Sequence, residues 1–218
     1  MKKLTLISLA LATALLSSAI ASAQVANGPF NWSGSGYAYN PTGLGWTFSN
    51  DAGVQNNGSA WGFSNAPNGA AQSAFLQVYT GPASVTNNTG ASSSIYQSVS
   101  GLTSGDEYTL SFYLAQRPGY AVDTVTPSIG GSPFTALTPS SDTWTLYTDT
   151  FTASGSSETL LFTANAGGGD NDAGLADVSI VSAPEGGAAL LYLLLAGGAC
   201  FGAMFLVPRN RFANLASA

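Results

Sequence analysis

Hydrophobic and polar residues alternate over short stretches in the middle of the chain, and continuous apolar runs lie near both ends. The clearest alternation is in residues 107–115, where single, mostly polar residues separate Tyr108, Leu110, Phe112 and Leu114. A period of two places alternate side chains on one face of a β-strand. The pattern therefore predicts an interior strand of a sheet that buries one face.

Further stretches are rich in β-branched and aromatic residues and are separated by turns containing Gly, Pro, Asp and Ser. They are residues 45–49, 73–79, 94–100, 143–153, 158–164 and 174–181, with shorter candidates at 27–32, 60–63 and 124–129. Many short strands without a helical pattern are typical of a sandwich. We therefore predict an all-β fold, a two-sheet antiparallel jelly-roll sandwich, over residues 24–183.

The apolar run at the N-terminus has the layout of a secretory signal peptide. Lys2 and Lys3 precede apolar residues 4–16, and residues 21–23 are the small Ala-Ser-Ala that signal peptidase accepts. We predict a signal peptide over residues 1–23, so that the sandwich is exported. The alternative is an N-terminal anchor that is never cleaved, for which the run is short.

The apolar run near the C-terminus has the length of a membrane-spanning helix. Residues 188–207 contain no charged side chain. Twenty helical residues span about 30 Å, which is the thickness of the hydrocarbon core of a bilayer. Arg209 and Arg211 follow the run, and basic residues favour the cytoplasmic side. We predict a transmembrane helix whose C-terminal end lies inside the cell.

The whole segment 184–218 combines the tripeptide Pro184-Glu185-Gly186, the apolar helix and the basic end. This order resembles the PEP-CTERM sorting signals, which exosortase recognises and cuts in Gram-negative bacteria that make extracellular polysaccharide. The resemblance implies an exosortase substrate that is anchored in the membrane before processing and reaches the cell surface or extracellular matrix afterwards. Gly186 stands where the family has a second proline, and an ordinary uncleaved anchor is the alternative.

The charge of the exported domain restricts its chemistry. Residues 24–183 carry ten acidic side chains and one cation, Arg117, so the net charge is near −9. This charge repels phosphate polymers and excludes nucleic acid as a partner. The chain has no His, its only Cys is Cys200, and the domain has no Lys. Ser-His-Asp and Cys-His catalysis, His-ligated zinc and Schiff-base chemistry are therefore excluded. A glycosidase-type carboxylate pair stays open, but we predict a protein that is not an enzyme.

A second resemblance covers nearly the whole exported domain. Residues 27–31 (Asn-Gly-Pro-Phe-Asn), Gly45-Trp46, the strand at 107–115 and residues 176–180 (Ala-Asp-Val-Ser-Ile) resemble galactose-binding-like sandwiches, which include many carbohydrate-binding modules. The resemblance implies that the terminal strands lie side by side and that the protein binds extracellular polysaccharide. The alternative is a structural or adhesive surface protein without a specific sugar ligand.

The same resemblance implies a structural calcium ion held between the two terminal strands. Asn31 stands where the family has an acidic residue, and Asp177 is the other candidate ligand. An amide oxygen ligates Ca²⁺ without charge, so the site is weaker. The alternative for Asp177 is a hydrogen bond at the start of a strand. Asp170 and Asp172, in a glycine-rich stretch, are a weaker calcium candidate whose alternative is a solvated turn.

Aromatic and amide side chains are interleaved in the first half of the domain, as stacking on sugar rings and hydrogen bonding to their hydroxyls require. The candidate ligand-binding residues are Trp46, Gln55, Asn56, Asn57 and Trp61. Trp61 lies in a loop between two glycines, so we expect its ring to be at least partly exposed. The alternative is that Trp46 and Trp61 belong to the core.

A second candidate group lies where the strand at 107–115 ends. It consists of Tyr113, Gln116 and Arg117. The Arg117 guanidinium has the geometry for a bidentate contact with a ligand. Because it is a lone cation among acids, a structural salt bridge at the end of the sheet is the alternative.

The sorting segment leads to a prediction about the exported protein. We expect the mature surface form to end near Pro184, because the tripeptide precedes a membrane-spanning helix. Intact-mass measurement of the protein recovered from the cell surface tests this. A mass that includes all residues up to Ala218 would leave the tail as a plain anchor.

Overall fold

The computed structural model describes residues 23–79, 91–165 and 169–183. The chain divides into two units, Met1–Ser182 and Ala183–Ala218. Almost all of the predicted signal peptide, the predicted helix at 188–207 and the sorting residues lie outside the described residues; those sorting residues are Pro184, Glu185, Gly186, Arg209 and Arg211. In the part of the chain that is described, no helix is long and apolar enough to cross a membrane.

The described residues form short strands joined by turns. The strands are β1 (Tyr37–Tyr39), β2 (Thr47–Ser49), β3 (Ala52–Asn56), β4 (Gln72–Tyr79), β5 (Ser93–Ser100), β6 (Glu107–Gln116), β7 (Thr124–Ile129), β8 (Ser132–Pro133), β9 (Thr145–Thr152), β10 (Ser157–Asn165) and β11 (Asp170–Ser182). A 3₁₀ turn at Pro67–Gly69 is the only helical element in these ranges. The prediction of an all-β fold is confirmed.

The strands form two antiparallel sheets that pack face to face. One sheet has six strands in the order β1-β3-β4-β11-β6-β9, and the other has five in the order β2-β5-β10-β7-β8. Neighbours in both sheets are largely strands that are distant in the chain, as in a jelly roll. The predicted two-sheet antiparallel jelly-roll sandwich is therefore confirmed.

Residues 107–115 behave as their alternation predicts. Tyr108, Leu110, Phe112 and Leu114 of β6 are all at most 1% exposed and lie in the core between the sheets. The strand is paired on both sides, with β11 and with β9. The predicted strands at 45–49, 73–79, 94–100, 124–129, 143–153, 158–164 and 174–181 are also confirmed, although their ends shift by up to four residues.

Two predicted strands are wrong. Residues 27–32 form a turn, in which the Phe30 N–H donates to the Asn27 carbonyl (2.9 Å) and both residues have positive φ angles. Residues 60–63 belong to a loop and form no strand. The apolar side chains of this loop pack on the six-stranded sheet. In both places aromatic side chains are buried, but the backbone that carries them is not a β-strand.

The sequence pattern does not predict the short strands β1, β3 and β8. Strand β3 contains Gly53, which is a poor strand former on propensity alone. A Cβ atom at this position would lie 2.2 Å from the Ala38 carbonyl oxygen and 2.4 Å from the Phe75 ring. Glycine is therefore required by the close approach of neighbouring groups, which the sequence does not reveal.

Trp46 belongs to the core, so its assignment as a ligand-binding residue is wrong. Its side chain is 4% exposed, and its ring centroid lies 5.1 Å from that of Phe30 and 6.4 Å from that of Phe162. The indole N–H donates to the Asn27 carbonyl (3.0 Å). The ring thus closes the core beneath the N-terminal turn, where no ligand can stack on it.

Candidate functional site

A loop covers part of the outer face of the six-stranded sheet, the face that points away from the five-stranded sheet. This covering loop, residues 57–71, connects β3 to β4. Its Trp61 and Phe63 pack on Phe75 of β4 and Ala115 of β6, with Tyr39 and Trp144 beside them. The outer face therefore carries a second, smaller hydrophobic core, distinct from the one between the sheets.

Polar side chains hold the covering loop in place. The Asn57 side chain donates to the Ala70 carbonyl (2.8 Å) and accepts from the Ala66 N–H (2.9 Å). Gln55 is fully buried, donates to Ser73 Oγ (2.9 Å) and accepts from Ser59 Oγ (2.5 Å). Both were candidates for ligand contact, but their hydrogen-bonding groups are used within the protein. Gln55 in particular has no surface to offer a sugar.

Trp61 is buried, so the expectation that its ring is at least partly exposed is wrong. Its side chain is 4% exposed. The ring stacks on Phe75 with centroids 3.7 Å apart, and lies parallel to Phe63 with centroids 6.4 Å apart. The local sequence, an amide-rich loop between glycines, favours exposure, but the sheet beneath the loop offers an aromatic surface that covers the ring.

A glycine in β11 makes room for this outer core. A Cβ atom at Gly174 would lie 2.7 Å from the Trp144 ring and 2.9 Å from the Phe63 ring. The two rings are themselves 5.8 Å apart, and the Trp144 N–H donates to the Ser64 carbonyl (3.0 Å). Any side chain at Gly174 would displace the aromatic rings from the sheet.

Arg117 lies between two aromatic rings. Its guanidinium carbon is 4.2 Å from the Trp61 ring centroid and 3.7 Å from that of Tyr120. The Nε–H donates to the Trp61 carbonyl (3.0 Å), and Nη1 donates to Asp172 Oδ2 (3.2 Å). The side chain is 11% exposed and that of Asp172 is fully buried. The salt-bridge alternative thus describes Arg117, and its partner is Asp172.

The exposed aromatic groups near Arg117 are tyrosines that were not among the predicted ligand contacts. Tyr37 is 47% exposed and Tyr120 is 40% exposed. The Tyr37 ring contacts Trp61 edge-on with centroids 6.1 Å apart. A continuous aromatic strip therefore runs from Tyr37 through Trp61 and Arg117 to Tyr120, and its two ends are open to solvent. The sequence contained one signal for Tyr120, which directly follows the turn residues Pro118 and Gly119. Tyr37 lies in the edge strand β1, which the sequence pattern does not predict.

The remaining candidate ligand residues lie near the strip without forming it. The Gln116 side chain donates to the Tyr120 carbonyl (2.9 Å) and so supports the turn that carries this ring. Tyr113 is half-buried and pairs across the sheet with Leu146 and Ala176. The Asn56 N–H donates to the Gly36 carbonyl (2.8 Å). The structure thus brings Gln116 and Arg117 together with Tyr120, whereas ligand binding by Asn56 and Tyr113 stays a prediction.

A chain of polar side chains lies beside the strip. The Tyr39 hydroxyl donates to Gln77 Oε1 (2.7 Å), and Gln77 Nε2 donates to Asp170 Oδ1 (2.6 Å). Burial and the nearby charge of Asp172 raise the pKa of Tyr39 above its ordinary value. The tyrosine therefore stays a neutral hydrogen-bond donor. Asp170, predicted as a weak calcium ligand, accepts from this chain.

Two fully buried carboxyl groups lie behind Arg117, on strand β11 and on the connection into β7. Burial raises the pKa of Asp123 to about 8, with the charges of Asp172 and Asp170 adding to the shift and the Val78 backbone opposing it. Burial also raises the pKa of Asp172 to about 7; Asp170 adds to this shift and Arg117 opposes it. No side chain in the described residues donates a hydrogen bond to Asp123. In the described residues, no three His, Cys, Asp or Glu side chains are grouped so as to hold a metal ion.

The structure brings together the two segments for which a structural calcium ion was predicted. The Val178 N–H donates to the Gly28 carbonyl (3.2 Å), beside a bulge in β11 where Asp177 has a φ of 48°. The Asn31 N–H donates to Asn27 Oδ1 (2.7 Å). Asp177 Oδ2 accepts from the Asn68 side chain, although at a bulge within β11 and not at the start of a strand, as the alternative had it. Calcium binding by Asn31 and Asp177 stays a prediction.

Comparison with known proteins supports the fold. No protein-family model matches the sequence. No curated protein sequence matches it either. An arabinose-bound α-L-arabinofuranosidase, MgGH51, is similar over 75% of this chain and 27% of its own, with 14% identity and a TM-score of 0.51. At this identity the likeness is one of fold only.

Two smaller sugar-binding domains are more distant in structure. One, CBM4, is similar over 73% of this chain and 100% of its own, with 16% identity and a TM-score of 0.46. The CBM22-1 xylan-binding domain of Xyn10C from Paenibacillus barcinonensis is similar over 68% and 97%, with 14% identity and a TM-score of 0.44.

The burial of Trp61 predicts that its loss affects stability. Removing a buried tryptophan leaves a cavity, so we expect Trp61→Ala to lower the free energy of unfolding by about 3–5 kcal/mol. Leu146→Ala is the control, because Leu146 is 51% exposed on the same sheet and surface substitutions usually change stability by less than about 0.5 kcal/mol. Denaturant unfolding of both variants tests this, and equal stability of the two would contradict it.

The raised pKa values predict that the cation-free protein gains stability on acidification. In the unfolded chain an aspartate ionises near pH 4, whereas Asp123 and Asp172 do so near pH 8 and 7 in the folded chain. The two protonated groups therefore make their full contribution to the free energy of unfolding below about pH 4. This contribution is lost as the pH rises through about 7 for Asp172 and about 8 for Asp123.

The measurement is denaturant unfolding in a chelator at about pH 5 and pH 8. We expect the free energy of unfolding to be higher at the lower pH by more than about 1.4 kcal/mol, the equivalent of one pKa unit. Asp123→Asn, which cannot ionise, is the matched control and should show a smaller change. A parent chain that is more stable at the higher pH would contradict the prediction.

Proposed function

We propose that this sandwich is a non-catalytic polysaccharide-binding module, and that it binds a sugar chain along the aromatic strip. The observation that carries the proposal is the pair of exposed rings, Tyr37 and Tyr120, joined through Trp61 and Arg117. Sugar rings stack their C–H faces on aromatic side chains. Two separated rings on one surface suit a polymer better than a single sugar.

Polar side chains beside the aromatic strip could form hydrogen bonds with sugar hydroxyls. The Tyr39 hydroxyl, Gln77 and Asp170 form a hydrogen-bonded chain on the same face of the sheet. Sugar hydroxyls need such donors and acceptors in addition to stacking. Arg117 is held rigidly by two rings and Asp172, so it supports Tyr120 instead of reaching for the ligand.

A non-catalytic role is supported by the position of the carboxyl groups. A glycosidase needs two carboxyl groups that flank the bond to be cut. Asp123 and Asp172 have the raised pKa values that such chemistry uses, but both side chains are fully buried. They cannot reach a bond in a polymer on the surface.

The cellular setting of this function follows from the ends of the sequence. We propose that signal peptidase removes residues 1–23, that residues 188–207 anchor the chain in the membrane, and that an exosortase then releases it. The sorting signal resembles those of Gram-negative bacteria that make extracellular polysaccharide. The producer's own polysaccharide or matrix is therefore the proposed ligand.

A structural or adhesive surface protein without a specific sugar ligand is the second candidate. The observation that favours it is the burial of both Trp46 and Trp61, at 4% exposure each. Exposed tryptophans offer the largest aromatic surface for stacking on sugar rings. Trp46 and Trp61 are instead part of the two hydrophobic cores. The two candidates differ in whether removal of an exposed tyrosine changes binding.

The test compares tyrosines with similar exposure on opposite faces of the sandwich. We expect Tyr37→Ala and Tyr120→Ala each to weaken binding to the producer's polysaccharide by about 1–2 kcal/mol, or roughly 5–30-fold. The matched control is Tyr96→Ala, because Tyr96 is 38% exposed on the five-stranded sheet. Affinity electrophoresis or calorimetry on the three variants measures the difference.

Stability measurements on the same variants separate binding from folding. Substitution of these exposed tyrosines should change the free energy of unfolding by less than about 1 kcal/mol. If Tyr37→Ala and Tyr120→Ala bind as well as Tyr96→Ala does, the aromatic strip does not bind the polysaccharide and the structural candidate is favoured.

A further inference from the structure

The only basic side chain of the exported domain is already committed to the fold. Arg117 is the one Lys or Arg in residues 24–183, and it is 11% exposed. Its guanidinium lies between the rings of Trp61 and Tyr120 and forms an ion pair with Asp172 (3.2 Å). An anionic ligand that took this guanidinium would leave Asp172 buried without a cationic partner, which is strongly unfavourable. Arg117 is therefore not available to a charged ligand.

Acidic side chains lie on the same face of the sheet as the aromatic strip. Phe75 of the outer core pairs with Gly174 in the register of β4 and β11. Residues two apart in a strand point to the same face. Asp172 and Asp170, two and four residues before Gly174, therefore also lie on the outer face. Two carboxyl groups thus stand there against one cation that is already paired.

The charges of this group act on the tyrosines of the strip. Tyr39 contacts both Tyr37 and Trp61 edge-on, with ring centroids 6.1 Å apart in each pair. Burial raises the pKa of Tyr39, the charges of Asp172 and Asp51 add to the shift, and the opposing effect of Arg117 is the smallest of these. The surface beside the strip is therefore negative, although it contains the arginine.

Processing of the N-terminus would not supply the strip with a cation. Cleavage after Ala23 would turn the backbone nitrogen of Gln24 into a charged α-amino group. This nitrogen donates to the Ser100 carbonyl (3.1 Å) of β5. Strand β5 belongs to the five-stranded sheet, whereas the strip lies on the outer face of the six-stranded sheet. The added charge would therefore lie on the other sheet.

We propose that the ligand of the aromatic strip is an uncharged polysaccharide, and that chains carrying carboxylate, sulfate or phosphate groups are rejected. This inference rests on the proposed function, because it describes the ligand of the same strip. Stacking on rings and hydrogen bonding to hydroxyls need no charge on the sugar. An anionic group would instead meet Asp170 and Asp172 without a free cation to pair with. Within the producer's polysaccharide, the proposed ligand is the fraction without uronic acids.

The experiment separates the producer's polysaccharide by anion exchange into a neutral and an acidic fraction. Part of the acidic fraction is then carboxyl-reduced, which replaces each carboxylate by CH₂OH on the same backbone. Binding of the exported chain to all three is measured in a chelator, so that no divalent cation bridges two carboxylates. We expect the acidic fraction to bind about tenfold more weakly than the neutral fraction, or less, and carboxyl reduction to restore binding.

Salt dependence provides a second measurement on the same samples. At about 10 mM and 150 mM salt the Debye length is roughly 30 Å and 8 Å, so added salt screens repulsion between exposed charges. Binding of the neutral fraction should change less than about twofold between the two conditions, whereas residual binding of the acidic fraction should strengthen as salt is added. Binding of the acidic fraction that weakens with salt would indicate attraction and would contradict the proposal.

A variant that adds a cation tests the same point from the side of the protein. Ala121 is exposed and directly follows Tyr120, and only its backbone atoms pair with Asn171 and Asp172. Ala121→Lys should strengthen binding of the acidic fraction at about 10 mM salt, whereas Ala121→Gln, which has a long uncharged side chain, should not. Both variants should bind the neutral fraction as the parent does. An equal response of the acidic fraction to the two variants would contradict the proposal.

The results that overturn this inference differ from those that overturn the proposed function. An acidic fraction that binds as tightly as the neutral fraction, with binding lost in Tyr37→Ala and Tyr120→Ala, would refute the uncharged ligand and leave the aromatic strip as the binding site. Failure of every fraction to bind, or binding that neither tyrosine variant changes, would refute the strip as the site and the inference with it.

Discussion

The packing of the Arg117 guanidinium between two aromatic rings connects most features of the outer face. In a domain with ten acids and one cation, this side chain joins the covering loop through the Trp61 carbonyl, strand β11 through Asp172, and the turn after β6 through Tyr120. Cation–π contacts are strongest where water is excluded, and Arg117 is largely buried. Loss of this one side chain would leave Asp172 buried without a cationic partner and would remove one of the contacts that hold the loop.

The outer face illustrates how one sheet serves two hydrophobic cores. Alternate residues of β4 and β6 pack between the sheets, and the residues between them, including Phe75 and Ala115, receive the covering loop. A strand that is covered on both faces loses its polar alternation, and β4 is buried along nearly its entire length. The loop therefore covers part of the outer sheet surface, and its Trp61 contacts Tyr37 and Arg117 of the aromatic strip.

The acidic character of the domain has different consequences on the surface and inside. On the surface, excess negative charge keeps the protein soluble and repels polyanions. Inside, the same excess leaves Asp123 without a basic partner, because Asp172 already occupies the only arginine of the domain. A fold with so few cations must neutralise a buried acid by a proton or by an ion from solution. With no cation beside it, burial raises the pKa of Asp123 to about 8.

Features that depend only on residues close in the chain could be predicted from the sequence. The alternation in residues 107–115 specified which side chains of β6 face the core, because a strand's two faces follow from its period alone. The absence of His and Lys from the domain excluded whole classes of catalysis without any coordinates. Which rings are covered depends on tertiary contacts: the sequence around Trp61 is typical of an exposed loop, yet Phe75 of β4 and Ala115 of β6 bury the ring. Contacts between distant segments, which no local pattern records, also decide the pairing of Arg117 with Asp172, the close approach of Ala38 to Gly53 and the bridge between Ala121 and Asn171.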